Sequence, residues 1–277
     1  MNTPFMGFLA GLILGCNAIF AQSNFAHNPI IYADVPDMSM IRMGDTYYMS
    51  STTMHMSPGV PIMKSKDLIN WTIINYAYDT LANVDAMNLV NGKSTYGKGT
   101  WASCIRYRKG TFYVSTFAQT TGKTYIYSTK DIEKGPWVEH SFQPSYHDHT
   151  IFFDDDDRVY MIFGVGKLRI LELKEDLSGV KAGTEEVLIE NASLPAGDKI
   201  MLSAEGSQLF KVNGKNYLFN ITNAATINNV TPNDINPYSN ALLFFLTVTS
   251  SLRVVWVSAE DGDSGDRKAH FTGPKLI

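Results

Sequence analysis

Cysteine is nearly absent from this sequence: only Cys16 and Cys104 occur in 277 residues. Cys16 lies in an apolar N-terminal segment, so once that segment is removed or lipidated a single thiol remains. No internal disulfide can form, and stability must come from packing. Clusters of Lys or Arg are missing as well. With 23 basic against 27 acidic residues and a net charge of -4, the chain lacks the electrostatic footprint of a nucleic-acid binder or a polybasic membrane-surface protein. The expected partner is therefore neutral. Beyond the N-terminus no apolar run reaches the roughly 20 residues of a spanning helix, and the stretch from Ala241 to Val257 contains Arg253. No Gly-rich phosphate loop opens a helix, and Gly206-Ser207 is not part of a G-x-S-x-G elbow, so nucleotide binding and serine hydrolysis have no support. His147 and His149 flank Asp148, but no H-x-x-x-H or Cys/His grouping accompanies them. No metal is assigned, and both histidines are expected to be structural or to touch substrate.

What is present suits a large core, with 44% hydrophobic and 12% aromatic residues. The N-terminus, MNTPFMGFLAGLILGCNAIFAQ, has the length and small-residue ending of a secretory leader, with cleavage expected after Ala21. The chain is then expected to be secreted or periplasmic, the alternative being a lipoprotein anchored through Cys16. No integral membrane segment is expected after cleavage.

Runs rich in Tyr, Phe, Val and Ile, punctuated by Gly, Asp and Asn, fill the first four-fifths of the chain without a helical period, so the fold is expected to be all-β. Four segments repeat one design, a turn followed by an aromatic strand: Gly44-Asp45-Thr46-Tyr47-Tyr48-Met49, Gly110-Thr111-Phe112-Tyr113-Val114, Asp157-Arg158-Val159-Tyr160-Met161 and Gly214-Lys215-Asn216-Tyr217-Leu218-Phe219. Their spacing of about 50 to 65 residues suits repeated sheets of about four strands, as in a β-propeller. Two repeats also end alike, Ser65 to Trp71 and Ser128 to Trp137. Periodicity alone also admits the hairpins of a β-sandwich.

About a dozen residues before each hairpin tyrosine stand Asp37, Trp101, Asp148 and Glu205. In a propeller the first strand of every blade lines the axis, so equivalent positions converge at one end of it. Paired carboxyls are what glycoside hydrolysis needs, one protonated to serve the leaving oxygen and one ionised to activate water or attack the sugar. Crowding raises the proton affinity of at least one of them. A tryptophan offers its face to a sugar ring. The acidic run Asp154 to Asp157 directly precedes Arg158-Val159-Tyr160 and is read as a hairpin turn rather than a cation site.

At these residues the chain resembles glycoside hydrolase family 43. The resemblance rests on Asn28-Pro29, Pro36-Asp37-Met38-Ser39, Ile41-Arg42, Gly44-Asp45-Thr46-Tyr47-Tyr48, Pro58-Gly59-Val60-Pro61-Ile62, Trp101-Ala102 before Ile105-Arg106-Tyr107, Asp148 before Phe152-Phe153-Asp154, and Ala204-Glu205-Gly206-Ser207 before Phe210-Lys211. It covers roughly residues 28 to 222. It implies a five-bladed β-propeller with Asp37 as general base, Glu205 as general acid, Asp148 orienting that acid and tuning its proton affinity, and Trp101 lining the sugar subsite. The activity implied is an inverting hydrolysis of terminal α-L-arabinofuranosyl or β-D-xylosyl residues of plant oligo- and polysaccharide, and Ser51 to Met56 resembles the arabinofuranosidase and xylosidase branch. No cofactor is implied, and nothing in the sequence supports a structural calcium. Asn-Asp-Pro-Asn, the usual start of the retaining fructan hydrolases, is absent.

Met38 stands where proline is commoner in the family. The larger departure begins after Thr222, where the tail has no hairpin of the earlier design. The expected organisation is a leader over 1-21, an incomplete propeller over 22-222 and an atypical tail over 223-277, read as a frameshifted or misjoined gene end that leaves about a blade and a half missing. The competing expectation is a non-catalytic carbohydrate-binding propeller or an inactive remnant.

Overall fold

The computed structural model describes residues 29-194, 200-212, 214-224, 241-248 and 253-257. The expected leader with Cys16 lies outside the described residues, as does most of the tail. The described chain is all-β and forms four antiparallel sheets of four strands each, every sheet a meander in chain order. The first comprises β1 (Ser39–Met43), β2 (Thr46–Ser50), β3 (Gly59–Ser65) and β4 (Thr72–Tyr78). The second comprises β5 (Cys104–Arg108), β6 (Thr111–Ala118), β7 (Lys123–Thr129) and β8 (Val138–Phe142). The third comprises β9 (Thr150–Phe153), β10 (Val159–Phe163), β11 (Leu168–Glu172) and β12 (Glu186–Ile189). The fourth comprises β13 (Ile200–Val212), β14 (Lys215–Ala224), β15 (Ala241–Val248) and β16 (Arg253–Val257).

The four aromatic hairpins of the sequence are the first-to-second-strand turns of these sheets. Local chemistry makes them. Between β5 and β6 both turn residues, Lys109 and Gly110, have positive φ (47° and 81°), the backbone that matches a two-residue turn to strand twist. The acidic run is a turn too, with Asp157 at φ 65° bonded to Arg108 and Lys109 of the second sheet. Asp67 in the segment ending at Trp71 accepts the backbone N–H of Ile69 and Asn70 and is held below the usual carboxylate range, Asn70 first among the causes.

Strand alternation packs the sheets face to face. On β5, Ile105 enters a cluster with Val60, Ile62 and Tyr78 of the first sheet, while its neighbour Cys104 faces Ile151 and Met161 of the third. On β9 and β10, Ile151 and Met161 look back to the second sheet, and Phe152 and Ile162 look forward to Leu209 and Leu218 of the fourth. A period of two therefore buries both faces, which is why these strands read as continuous apolar runs. Each fully buried side chain of this size contributes roughly 1.5–3 kcal/mol. First strands touch in succession, β1 with β5, β5 with β9 and β9 with β13, so they surround a common axis. This is a β-propeller with four blades among the described residues.

The tail supplies the outer half of the fourth blade: β15 pairs with β14 from Asn216–Val248 to Asn223–Ala241, and β16 pairs with β15. The aromatic hairpin design marks only a blade's first two strands and carries no sign of a third and a fourth. Among the described residues no apolar cluster joins the fourth blade to the first; a hydrogen bond from Ser39 Oγ to Gln208 Oε1 (2.9 Å) bridges them. No helix among the described residues is long and apolar enough to cross a membrane.

Candidate active site

Each predicted residue sits where an inner strand meets the axis. Asp37 lies two residues before β1 and Asp148 two before β9, and both adopt the left-handed backbone, at φ 51° and 45°. Asp pays less for this conformation than most residues, because its short polar side chain bonds locally. Trp101 lies three residues before β5. Glu205 is within β13 at an irregularity where the register with β14 shifts on both sides of it. Gly206, at φ 65°, permits this bulge, and bulges re-aim side chains.

The structure brings all four to one cavity of about 280 Å³, whose walls also include Met54, Ser103, His147, Gly206 and Gln208. Such a volume, just under the usual range of small-molecule sites, suits a single sugar unit. Among the described residues, His147 is the one basic side chain lining it. Its Nε2 is 3.3 Å from Glu205 Oε2 and 3.8 Å from Asp148 Oδ2. Its ring meets Trp101 edge-on at 6.0 Å and Phe117 at 5.2 Å. Trp101 is fixed by an Nε1–H bond to the Gly97 carbonyl (3.1 Å).

Burial dominates the electrostatics. It raises the carboxyl of Asp148 from 3.8 to about 6; Glu205 and Asp37 push the same way while His147 opposes them, and the backbone N–H of Gly206 donates to Asp148. Asp37 is raised by burial first and Glu205 second, with His147 again opposing. The His147 imidazole is raised chiefly by its hydrogen bond to Glu205. One imidazolium thus offsets repulsion among three carboxyls. His149 differs altogether: it is buried, donates from Nδ1 to the Tyr146 carbonyl, and is pushed down to about 4 by burial, a neutral structural residue.

His147, Asp148 and Glu205 also offer ligand atoms within 4.8 Å of one another. One imidazole and two carboxylates fall short of the six to eight oxygens of a calcium site. Sequence reasoning left Met54, Ser103 and Gln208 out of the site. In the sequence the Ser51–Met56 stretch reads only as a branch marker, and Gln208 carries a signal only in its place three residues beyond Glu205.

Three comparisons bear on this geometry. The family profile "Glycosyl hydrolases family 43" matches residues 26–228. A β-xylosidase of Formosa agariphila is 32% identical over 206 residues, covering 69% of this chain and 33% of that protein. A non-reducing end α-L-arabinofuranosidase of Bacteroides ovatus is 32% identical over 148 residues, 52% of this chain and 27% of that one. Among solved structures, a protein described as a bifunctional GH43-CE of Bacteroides eggerthii is 57% identical, with a TM-score of 0.72, covering 85% of this chain and 32% of that chain. The chain spans about a third or less of the length of these relatives.

Proposed function

The chain belongs to glycoside hydrolase family 43, and from that premise we propose that it removes terminal α-L-arabinofuranosyl or β-D-xylosyl residues from plant oligo- and polysaccharide by inverting hydrolysis, exported on its leader-like N-terminus. One observation carries the reading. Carboxyls from the first, third and fourth blades, Asp37, Asp148 and Glu205, meet in one sugar-sized cavity beside a tryptophan, Trp101, from the second.

Asp37 takes a proton from the attacking water as that water's oxygen bonds to the anomeric carbon. Glu205 gives its proton to the glycosidic oxygen as the bond to that carbon breaks, so the two carboxyls exchange protonation states over one turnover. Asp148 orients Glu205 through the Gly206 N–H it accepts. Trp101 packs on the ring of the sugar being released. The relatives named β-xylosidase and α-L-arabinofuranosidase support this choice of pentoses.

Hydrolysis of aryl α-L-arabinofuranoside and aryl β-D-xyloside tests the reading. Glu205→Gln is expected to lower turnover about 10²- to 10⁴-fold with an unchanged circular dichroism spectrum, and NMR of the first-formed sugar should show the inverted anomer. Full activity in the variant refutes the assignment of Glu205. Folded parent protein that binds oligosaccharide without turnover refutes hydrolysis altogether.

A further inference from the structure

Outside the cavity, an aromatic ring is held rigid and left bare. Tyr96 is 77% exposed, yet its ring lies on His55 at 4.1 Å between centroids with 3° between planes. His55 is fixed through both ring nitrogens: the Gly97 N–H donates to Nδ1 (2.9 Å), which leaves the proton on Nε2 to be donated to Asp34 Oδ2 (3.2 Å). Its carbonyl accepts the Thr95 hydroxyl (2.5 Å). An exposed tyrosine ordinarily samples rotamers within nanoseconds. Here the stacking partner is anchored at three points.

The pair is tied through the backbone to the wall of the cavity. Met54, next to His55, lines that cavity, and its carbonyl accepts the Gly99 N–H (2.9 Å). Gly97, next to Tyr96, holds His55 with its N–H and Trp101 with its carbonyl. One backbone residue thus positions both the wall of the cavity and the ring outside it. Sugar rings present C–H faces that pack on aromatic faces, and a surface ordered before binding spares the entropy of ordering it. The exposed ring is neutral, which suits an uncharged ligand.

We propose that Tyr96, backed by His55, is a second sugar-binding platform that receives a neutral sugar unit next along the chain from the one held in the cavity. The proposal rests on the hydrolase reading for its choice of ligand. Tyr96→Ala in the full chain is expected to lower kcat/KM for xylotetraose or arabinotetraose about five- to tenfold, mostly through KM, as loss of one aromatic stacking contact implies. On the glycosyl fluoride of the same pentose, whose leaving group is a single atom and which therefore fills only the cavity, kcat/KM should change less than twofold. Tyr96→Phe should behave as the parent, since the face binds and not the hydroxyl. Equal losses on both substrates, or none on the tetrasaccharides, overturn the proposal. Should the parent leave aryl glycosides and tetrasaccharides alike intact, the hydrolase reading fails; calorimetry with the tetrasaccharides then decides about the platform, which weaker binding by Tyr96→Ala supports and unchanged binding overturns.

Discussion

Replacing Asp148 by Asn should stabilise the protein at alkaline pH while damaging the proposed chemistry. The Asp148 side chain is 13% exposed, and its carboxyl is raised from the ordinary 3.8 to about 6, by burial first and by Glu205 and Asp37 against the opposing His147. The native state therefore holds this proton more tightly than the unfolded chain. Between the two values it binds more protons, so stability falls as pH rises through that window and the loss is complete above about pH 7. A shift of about two units corresponds to about 3 kcal/mol. Asn carries no charge, has nearly the same volume and keeps a carbonyl oxygen for the Gly206 N–H. Urea unfolding of parent and variant side by side should show a difference under about 1 kcal/mol at pH 4, growing to about 3 kcal/mol in favour of the variant at pH 8. Activity on aryl glycosides should fall over the same range. A stability difference that does not change with pH, or a variant less stable at pH 8, refutes the claim that burial outweighs the opposing His147 at this carboxyl.

Removing the cation of the cluster gives the opposite sign. His147 holds down the proton affinities of both Asp37 and Asp148, so in His147→Gln the acid limb of the kcat/KM profile should move to higher pH; an unmoved limb, measured on an aryl glycoside, means that the limb belongs to neither carboxyl. Gly206→Ala places a side chain on a backbone at φ 65°, with its Cβ 3.4 Å from Ile221. It should cost about 1–2 kcal/mol in urea unfolding and, by moving Glu205, at least tenfold in kcat/KM; parent-like kinetics would show that the bulge does not aim the acid.

The parts of this molecule that were legible in its sequence are those repeated in every blade. Gly44, Gly110, Asp157 and Gly214 mark turns whose chemistry is local, and the distance from each hairpin tyrosine back to Asp37, Trp101, Asp148 or Glu205 is fixed by one inner strand. Contacts between blades carry no such mark. In the sequence His147 reads as a flank of Asp148, but its bond to Glu205 spans 58 positions and depends on how the third and fourth blades pack. The stacking of Tyr96 on His55 is set by an irregular connection between β4 and β5 that has no period to read. Strands β15 and β16 likewise lack the aromatic hairpin design that marks a blade's first two strands.

Because each carboxyl rides on its own blade, the distances that inverting chemistry requires are a property of blade packing and not of any one sheet. The axis contains a device that couples them. Arg106, buried on β5, donates to its own blade at the Ile105 carbonyl (2.7 Å), to the first at Ser39 Oγ (3.5 Å), to the third at Thr150 Oγ1 (2.6 Å) and the Ile151 carbonyl (3.0 Å), and to the fourth at the Leu209 carbonyl (3.1 Å) and Gln208 Oε1 (3.3 Å). None of these six partners is a carboxylate. Burial lowers the proton affinity of the guanidinium, and a buried cation without a counterion is a cost that only full hydrogen bonding offsets. The positions it grips explain what that cost secures: Ser39 and Thr150 stand two residues from Asp37 and Asp148, and Gln208 stands three from Glu205. A rigid planar fork with five donors, bonded to every inner strand immediately beyond the site, leaves the three carboxyls little freedom to drift apart.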